Sequence, residues 1–161
     1  MKTTLVLRHG FRRRALFGIV ALGAFVWLQS EARAATRWET LEAIHAVENP
    51  YDQRSPGPCG ELGAYQFRQN TWRRYSQRPF NEAIDRRCSD EVAVRHYDWI
   101  KTSLERNRLA PTTYNIALAW NAGLSAVVRG RVPAASRDYA TRVENIATDL
   151  HRRQLQAAVA R

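Results

Sequence analysis

Apolar residues recur at steps of three and four along most of this 161-residue chain, which is the period of an α-helix with one buried face. The sequence shows no convincing alternation of apolar and polar residues of the kind that marks a half-exposed strand. The pattern therefore predicts a mainly α protein. After the first helix it predicts a short helix over 71–77 capped by Asn70, a long one capped by Ser89, one over 113–120 stopped by Gly123, and a last one introduced by Pro133 and Ser136.

The first predicted helix carries an acidic residue on its apolar face. Thr36 and Glu39 have the spacing of a capping box, which begins a helix, and Pro50 disfavours helical geometry just before it, so the helix ends near Glu48. Burial and the negative pole of the helix both penalise a carboxylate there, so we expect the pKa of Glu48 to be raised. A general acid working near neutral pH requires such a shift. The alternative is a solvated glutamate at a helix end. The apolar face that Glu48 continues consists of Trp38, Leu41 and Ile44.

A turn-rich loop follows Glu48. Residues 54–63 include two prolines and three glycines, a composition that excludes regular structure. Glu61 lies between Gly60 and Leu62 in this loop, and it is the better candidate for a second carboxylate at the site than Asp52, which is expected to cap its own turn. The alternative for Glu61 is a glutamate that faces solvent.

The first 34 residues have the layout of a secretory signal peptide. Five basic residues in the first 14 precede an uncharged apolar run over 15–28, and Ala32-Arg33-Ala34 matches a cleavage site. The apolar run is short for a bilayer span, which needs ~20 residues. We therefore expect a periplasmic or secreted domain over 35–161 with no stable membrane span after cleavage. An uncleaved anchor is the alternative.

Removal of this segment would leave 19 basic and 14 acidic residues, a net charge of +5. A moderately basic exported protein suits a polyanionic partner such as cell wall. The basic residues are scattered and do not form the stripe interleaved with aromatic residues that nucleic-acid binding requires. We therefore predict no nucleic-acid partner.

The two cysteines of the chain are Cys59 and Cys88. An even number of cysteines in an exported protein favours a disulfide. Such a bridge would tie the loop to the start of the long helix and would stabilise the fold by roughly 3–4 kcal/mol. Two buried free thiols are the alternative.

Other chemistries lack their motifs in this sequence. The four histidines, at positions 9, 45, 96 and 151, do not pair with the cysteines at metal-ligand spacing, and neither a phosphate-binding glycine loop nor a serine elbow occurs. We predict no metal and no cofactor. His96 lies on the inner face of the long helix, and we interpret it as a core residue rather than a catalyst.

Three segments resemble one family when they are taken in order. Glu48, Gly60, Gly63 and Gln66 stand at offsets 0, 12, 15 and 18, which resembles the catalytic segment of soluble lytic transglycosylase-like domains, where a glutamate is followed by G-x-x-G-x-x-Q. Residues 119–123 are similar to the family's alanine-tyrosine-asparagine-alanine-glycine segment, and residues 137–143 are similar to its C-terminal tyrosine helix. Goose-type and invertebrate-type lysozymes share this plan.

The resemblance implies a monomeric, lysozyme-like single domain with a long irregular catalytic loop, acting on peptidoglycan glycan strands. Glu48 would serve as acid and then as base, no second carboxylate would be needed, and the product would be a 1,6-anhydromuramyl end. The expected contacts to sugar amides and hydroxyls are Gln66, Asn121 and Tyr139, while Tyr65 and Trp120 either stack on sugar rings or belong to the core.

Two alternatives to this function remain at this point. One is a hydrolytic muramidase, in which Glu61 would assist Glu48. The other is a catalytically inactive lysozyme-like module that binds glycans or an inhibitor.

The chain departs from the family pattern at Asn49-Pro50, where serine-glycine is common, so any help from a hydroxyl group at that position is lost.

Overall fold

The computed structural model describes residues 35–160, and the predicted signal peptide over 1–34 lies outside the described residues. Within this range the single β-bridge joins Leu62 and Phe67, and the mainly α class is confirmed. The helices are α1 (Arg37–Glu48), α2 (Gln69–Tyr75), a 3₁₀ helix (Phe80–Ile84), α3 (Arg86–Arg106), α4 (Thr113–Ala122), α5 (Leu124–Val128) and α6 (Ala134–Val159).

Helix α1 has the bounds that the sequence predicts. The Thr36 side chain accepts a hydrogen bond from the Glu39 N–H, and the Glu39 carboxylate accepts one from the Thr36 N–H, so the capping box is complete. Asn49 follows as the C-terminal cap, and the helix ends at Glu48. Glu39 is only 2% exposed, and its second contact, to His151 at 2.9 Å, ties the start of α1 to α6.

Two predicted caps are wrong. Asn70 lies inside α2, which begins after Arg68 without a side-chain cap. Helix α3 is capped by Asp85, whose carboxylate accepts from the Cys88 N–H at 2.9 Å. Ser89 is instead fully buried in the first turns of α3. Asp and Ser are both good caps, so the sequence offers two starts four residues apart and tertiary packing selects one.

The core forms where α4 packs against α6 and α3, and α1 also packs against α6. The predicted inner face of α3 is confirmed at Val92, Ile100 and Leu104, which are buried, whereas His96 is half-buried. The buried residues of α4 are Ile116, Ala117, Leu118 and Ala119.

Among residues 35–160, no helix is both long and apolar enough to cross a membrane.

The loop after α1 is fastened at Gly63. Leu62 and Phe67 exchange backbone hydrogen bonds of 3.0 and 2.9 Å, which closes a tight turn. Gly63 has φ +79° in this turn, and a Cβ at its position would lie 1.7 Å from the carbonyl oxygen of Ala83. Only glycine allows the turn to approach the 3₁₀ helix so closely.

The predicted disulfide is not present, because Cys59 and Cys88 are both free thiols. Cys59 is exposed on the loop, on the groove that also contains Glu48. The sulfur of Cys88 lies in the first turn of α3, 3.8 Å from the Glu82 carboxylate. Cysteine number alone does not determine whether a fold brings two thiols together, and this fold does not.

Substitution of Gly63 tests the close approach of the turn to the 3₁₀ helix. We expect Gly60→Ala to lower the free energy of unfolding by about 1–2 kcal/mol, since its φ is +78° but its Cβ position has no neighbour within 4 Å. Gly63→Ala has the same backbone strain and also a clash with Ala83, so it should lose about 1–3 kcal/mol more. Urea unfolding of both variants measures the difference, and equal losses would contradict the predicted clash.

Candidate active site

Glu48 lines a groove of about 470 Å³ between the loop, α3 and α4. A wider concavity of about 870 Å³ lies along Trp38 and α3, but Glu48 is not part of it. The smaller groove is therefore the one that contains the predicted chemistry. Its other polar and aromatic lining includes Glu61, Gln66, His96, Trp120 and Asn121.

The Glu48 carboxyl group is held by a tyrosine from the last helix. The Tyr139 hydroxyl donates a hydrogen bond of 2.8 Å to Oε1 of Glu48. Burial raises the pKa of Glu48, and the negative charge of Glu61 raises it further, against opposing effects of the Tyr139 hydrogen bond and the Arg142 charge. The pKa remains above its ordinary value, so Glu48 can donate a proton at higher pH than a solvated glutamate can.

Glu61 lies in the same groove with its pKa shifted the opposite way. Its own backbone N–H and that of Cys59, the latter at 2.9 Å, stabilise the anionic form, as does Arg68, whose Nε lies 3.2 Å from Oε1. The pKa of Glu61 is therefore lowered. In enzymes, two carboxyl groups in one site whose pKa values are shifted in opposite directions typically divide the roles of acid and base between them.

Asn49 has a role that the sequence alone did not indicate. Its side-chain oxygen accepts from the Gln53 N–H at 2.8 Å, and its amide donates to the carbonyl oxygens of Gln53 at 2.9 Å and Gly63 at 3.2 Å. The side chain is 5% exposed. Asn49 thus joins the end of α1 to both ends of the loop and fixes the backbone next to Glu48.

An ion-pair cluster behind the groove is a second feature that sequence reasoning missed. Arg86 on α3 donates to Asp90 at 2.8 Å and to Nδ1 of His45 at 2.9 Å, and its guanidinium carbon lies 5.7 Å from the centre of the Tyr65 ring. Nε2 of His45 then donates to Asp52, at 2.9 Å, on the first turn of the loop. Arg86 and His45 are 41 residues apart, so no local pattern indicates the cluster.

The predicted sugar-binding residues divide into two groups. Gln66, Asn121 and Trp120 line the groove, and the amide of Gln66 also donates to the Gly63 carbonyl oxygen at 3.0 Å. Tyr65 also lines the groove, but it is 1% exposed and its hydroxyl donates to Asp90 at 2.6 Å, so its ring belongs mainly to the core. The fifth residue, Tyr139, is also buried, and its hydroxyl contacts Glu48 rather than the groove surface.

His96 is a satisfied, half-buried histidine that also forms part of the groove wall. Its Nδ1 lies 3.1 Å from the Tyr75 hydroxyl, and its ring centroid is 4.7 Å from that of Trp120. Burial lowers the pKa of His96 to about 4, so the ring is neutral near neutral pH. In the described part of the chain no group of three or more His, Cys, Asp or Glu side chains could hold a metal ion.

We predict that Glu48→Gln stabilises the protein near neutral pH. Burial raises the pKa of Glu48 in the folded state. The protonated side chain therefore contributes fully to stability below the pKa of about 4.3 that it has in the unfolded chain, and this contribution is lost as pH rises through the folded-state pKa. A glutamine cannot ionise and avoids this loss. The melting temperature of Glu48→Gln should therefore exceed that of wild type by more at about pH 8 than at about pH 4.

The matched control is Glu105→Gln, which changes an exposed glutamate near the end of α3. Because this side chain is exposed, the substitution should change the melting temperature little. A Glu48→Gln effect that is the same at both pH values would contradict the raised pKa.

Comparison of the chain with protein-family models, with curated proteins and with solved structures gave no match. Because a fold does not determine a function, the chemistry of the groove is the basis for assigning one. Its main feature is a carboxyl group with a raised pKa, held by a tyrosine, beside a second carboxylate whose pKa is lowered.

Proposed function

We propose that this protein is an exported, lysozyme-like lytic transglycosylase that cleaves the MurNAc–GlcNAc glycosidic bond of peptidoglycan. The observation that carries this proposal is the 2.8 Å hydrogen bond from Tyr139 to the shielded Glu48, because it holds a protonatable acid in one orientation at a groove. The resemblance of the segment Glu48–Gln66 to the transglycosylase catalytic segment supplies the substrate class.

Glu48 acts first as the acid in the proposed reaction. Its proton passes to the leaving glycosidic oxygen as the bond from that oxygen to C1 of the muramyl sugar breaks. The neighbouring N-acetyl group stabilises the positive charge that develops at C1. The C6 hydroxyl of the same sugar then forms a bond to C1 and returns its proton to Glu48, which gives the 1,6-anhydro product without consuming water.

The groove residues have separate roles in this scheme. Gln66 and Asn121 offer amide groups to the sugar hydroxyls and N-acetyl groups, and Trp120 offers an aromatic face for a sugar ring. Tyr139 is a positioning residue, since its hydroxyl touches Glu48. The reaction needs no cofactor, and the net charge of +5 expected for residues 35–161 suits an anionic cell wall.

A hydrolytic muramidase is the second candidate, because Glu61 lies in the same groove and influences the pKa of Glu48. In that reaction Glu61 would activate water or stabilise the charged sugar. A catalytically inactive glycan-binding module is the third candidate. Turnover of purified peptidoglycan separates both enzymes from it.

Glu48→Gln is expected to abolish cleavage while the protein stays folded. General acid catalysis is worth ~10²–10⁴-fold, and the amide cannot supply the proton. Release of soluble fragments from purified sacculi measures the rate, with Glu105→Gln as the control that keeps wild-type activity. A Glu48→Gln variant that retains more than about a tenth of the wild-type rate would rule out this assignment.

The chemical nature of the products separates the two enzymes. We expect fragments lighter by one water than hydrolysis products, with no new reducing ends, and we expect Glu61→Gln to lose less than about tenfold in rate, since the intramolecular nucleophile needs no second carboxylate. Mass spectrometry and a reducing-end assay make both measurements. Reducing ends as the main product, together with a Glu61→Gln variant as inactive as Glu48→Gln, would favour the muramidase.

A further inference from the structure

Aromatic side chains continue from the groove toward the surface of α3. The His96 ring, which contacts Trp120 in the groove wall, stacks on Trp99 with a centroid distance of 5.9 Å and an interplanar angle of 10°. Trp99 lies one helical turn beyond His96 and is 38% exposed. The aromatic lining of the groove thus extends one turn past its end, onto a tryptophan that solvent can reach.

A positive charge lies next to this tryptophan. The guanidinium carbon of Arg74, on α2, is 5.4 Å from the centre of the Trp99 ring. Arg74 is one turn beyond Thr71, which lines the groove. It takes part in none of the ion pairs formed among residues 35–160. Trp99 and Arg74 therefore lie together, each one helical turn beyond a residue that lines the groove, and Arg74 has no acidic partner among the described residues.

We propose that Trp99 and Arg74 form a distal subsite for the same glycan strand that occupies the groove. A sugar ring lies against the indole, and a carboxylate of the peptide carried by a muramyl residue pairs with Arg74. This inference rests on the proposed function. The His96 ring next to Trp99 is neutral near neutral pH. It is therefore not a second cation that would compete with Arg74 for the carboxylate.

The chemistry of the pair fits this occupant. Tryptophan presents a large apolar face with one N–H group, which suits the C–H face of a sugar together with its hydroxyls. Arginine has a planar fork of N–H donors that matches a carboxylate. Continuity with the groove favours the strand itself over a separate ligand.

A second exposed tryptophan provides a matched control. Trp38 on α1 is 49% exposed, with the guanidinium carbon of Arg37 5.9 Å from its ring centre. It lies on a different concavity, and Arg37 is already paired with Asp98 at 3.3 Å. Arg73, the exposed neighbour of Arg74 on α2, is the control for charge.

The test measures cleavage of long peptide-bearing strands, the same strands after their carboxyl groups have been converted to neutral primary amides, and short fragments that fill only the groove near Glu48. Trp99→Ala should raise KM on both long strands on the order of fivefold with kcat unchanged, and Trp99→Phe should restore most of the loss. Arg74→Gln should raise KM roughly two- to threefold, and only on the strands that keep their carboxylates. Trp38→Ala and Arg73→Gln should match wild type, and all variants should match it on the short fragments.

A parallel measurement keeps this inference separate from the proposed reaction. Binding of Glu48→Gln protein to both long strands is compared with and without Trp99→Ala or Arg74→Gln. Absence of cleavage by wild type on every strand would reject the transglycosylase, while weaker binding by the Trp99→Ala protein would still support the subsite. Trp99→Ala that binds and cleaves long strands like Trp38→Ala would overturn the subsite, and an equal Arg74→Gln effect on the amidated strands would overturn the role given to the carboxylate.

Discussion

The contact between α1 and α6 fixes the position of the Glu48 carboxyl group in the groove. Tyr139 reaches Glu48 at the C-terminal end of α1, and His151 reaches Glu39 at its N-terminal end, at 2.8 and 2.9 Å. The two helices therefore run antiparallel, with a polar contact at each end and buried apolar residues between them. The first and last helices of the described chain must both be in place before Glu48 has its hydrogen-bond partner, so assembly of the site depends on completion of the fold. The buried apolar residues between the two contacts include Ile44, Val143 and Ala147.

The loop that follows Glu48 contains strained residues that side-chain contacts hold in place. Asp52 and Gln66 are non-glycine residues with φ of +48° and +45°, and each makes a side-chain contact, Asp52 with His45 and Gln66 with the Gly63 carbonyl oxygen. Such conformations cost of order 1–3 kcal/mol each and persist where surrounding contacts fix them. Among residues 35–160 these are two of the three non-glycine residues with positive φ, and the third, Arg108, follows the end of α3.

Local physics explains which parts of the structure the sequence could predict. The bounds of α1 follow from a capping box and a proline, both within a few residues, and the same pattern indicates that Glu48 is shielded. The cap of α3 was misassigned because Asp85 and Ser89 are both competent and only packing at the Gly63 turn separates them. The disulfide prediction failed for a related reason, since cysteine number carries no information about the distance between thiols.

The site residues show the same division. Gln66, Trp120 and Asn121, which short motifs suggest as sugar contacts, line the groove, and the hydroxyl of Tyr139 contacts Glu48. The motif predicts a tyrosine at this position, and only the packing of α6 shows which group it faces. The Arg86 cluster and Asn49 had no sequence signal, because their partners are distant in the chain or are backbone groups.

The state of Glu61 bears on which nucleophile would complete the proposed reaction. Its two carboxylate oxygens are both engaged, Oε1 with Arg68 and Oε2 with the Cys59 N–H. These contacts lower its pKa, and a weakly basic carboxylate removes a proton from water poorly near neutral pH. The same negative charge helps keep Glu48 protonated and can stabilise a positively charged sugar. Glu61 is therefore a poor general base for water, which fits the proposed reaction, in which the substrate would supply its own nucleophile.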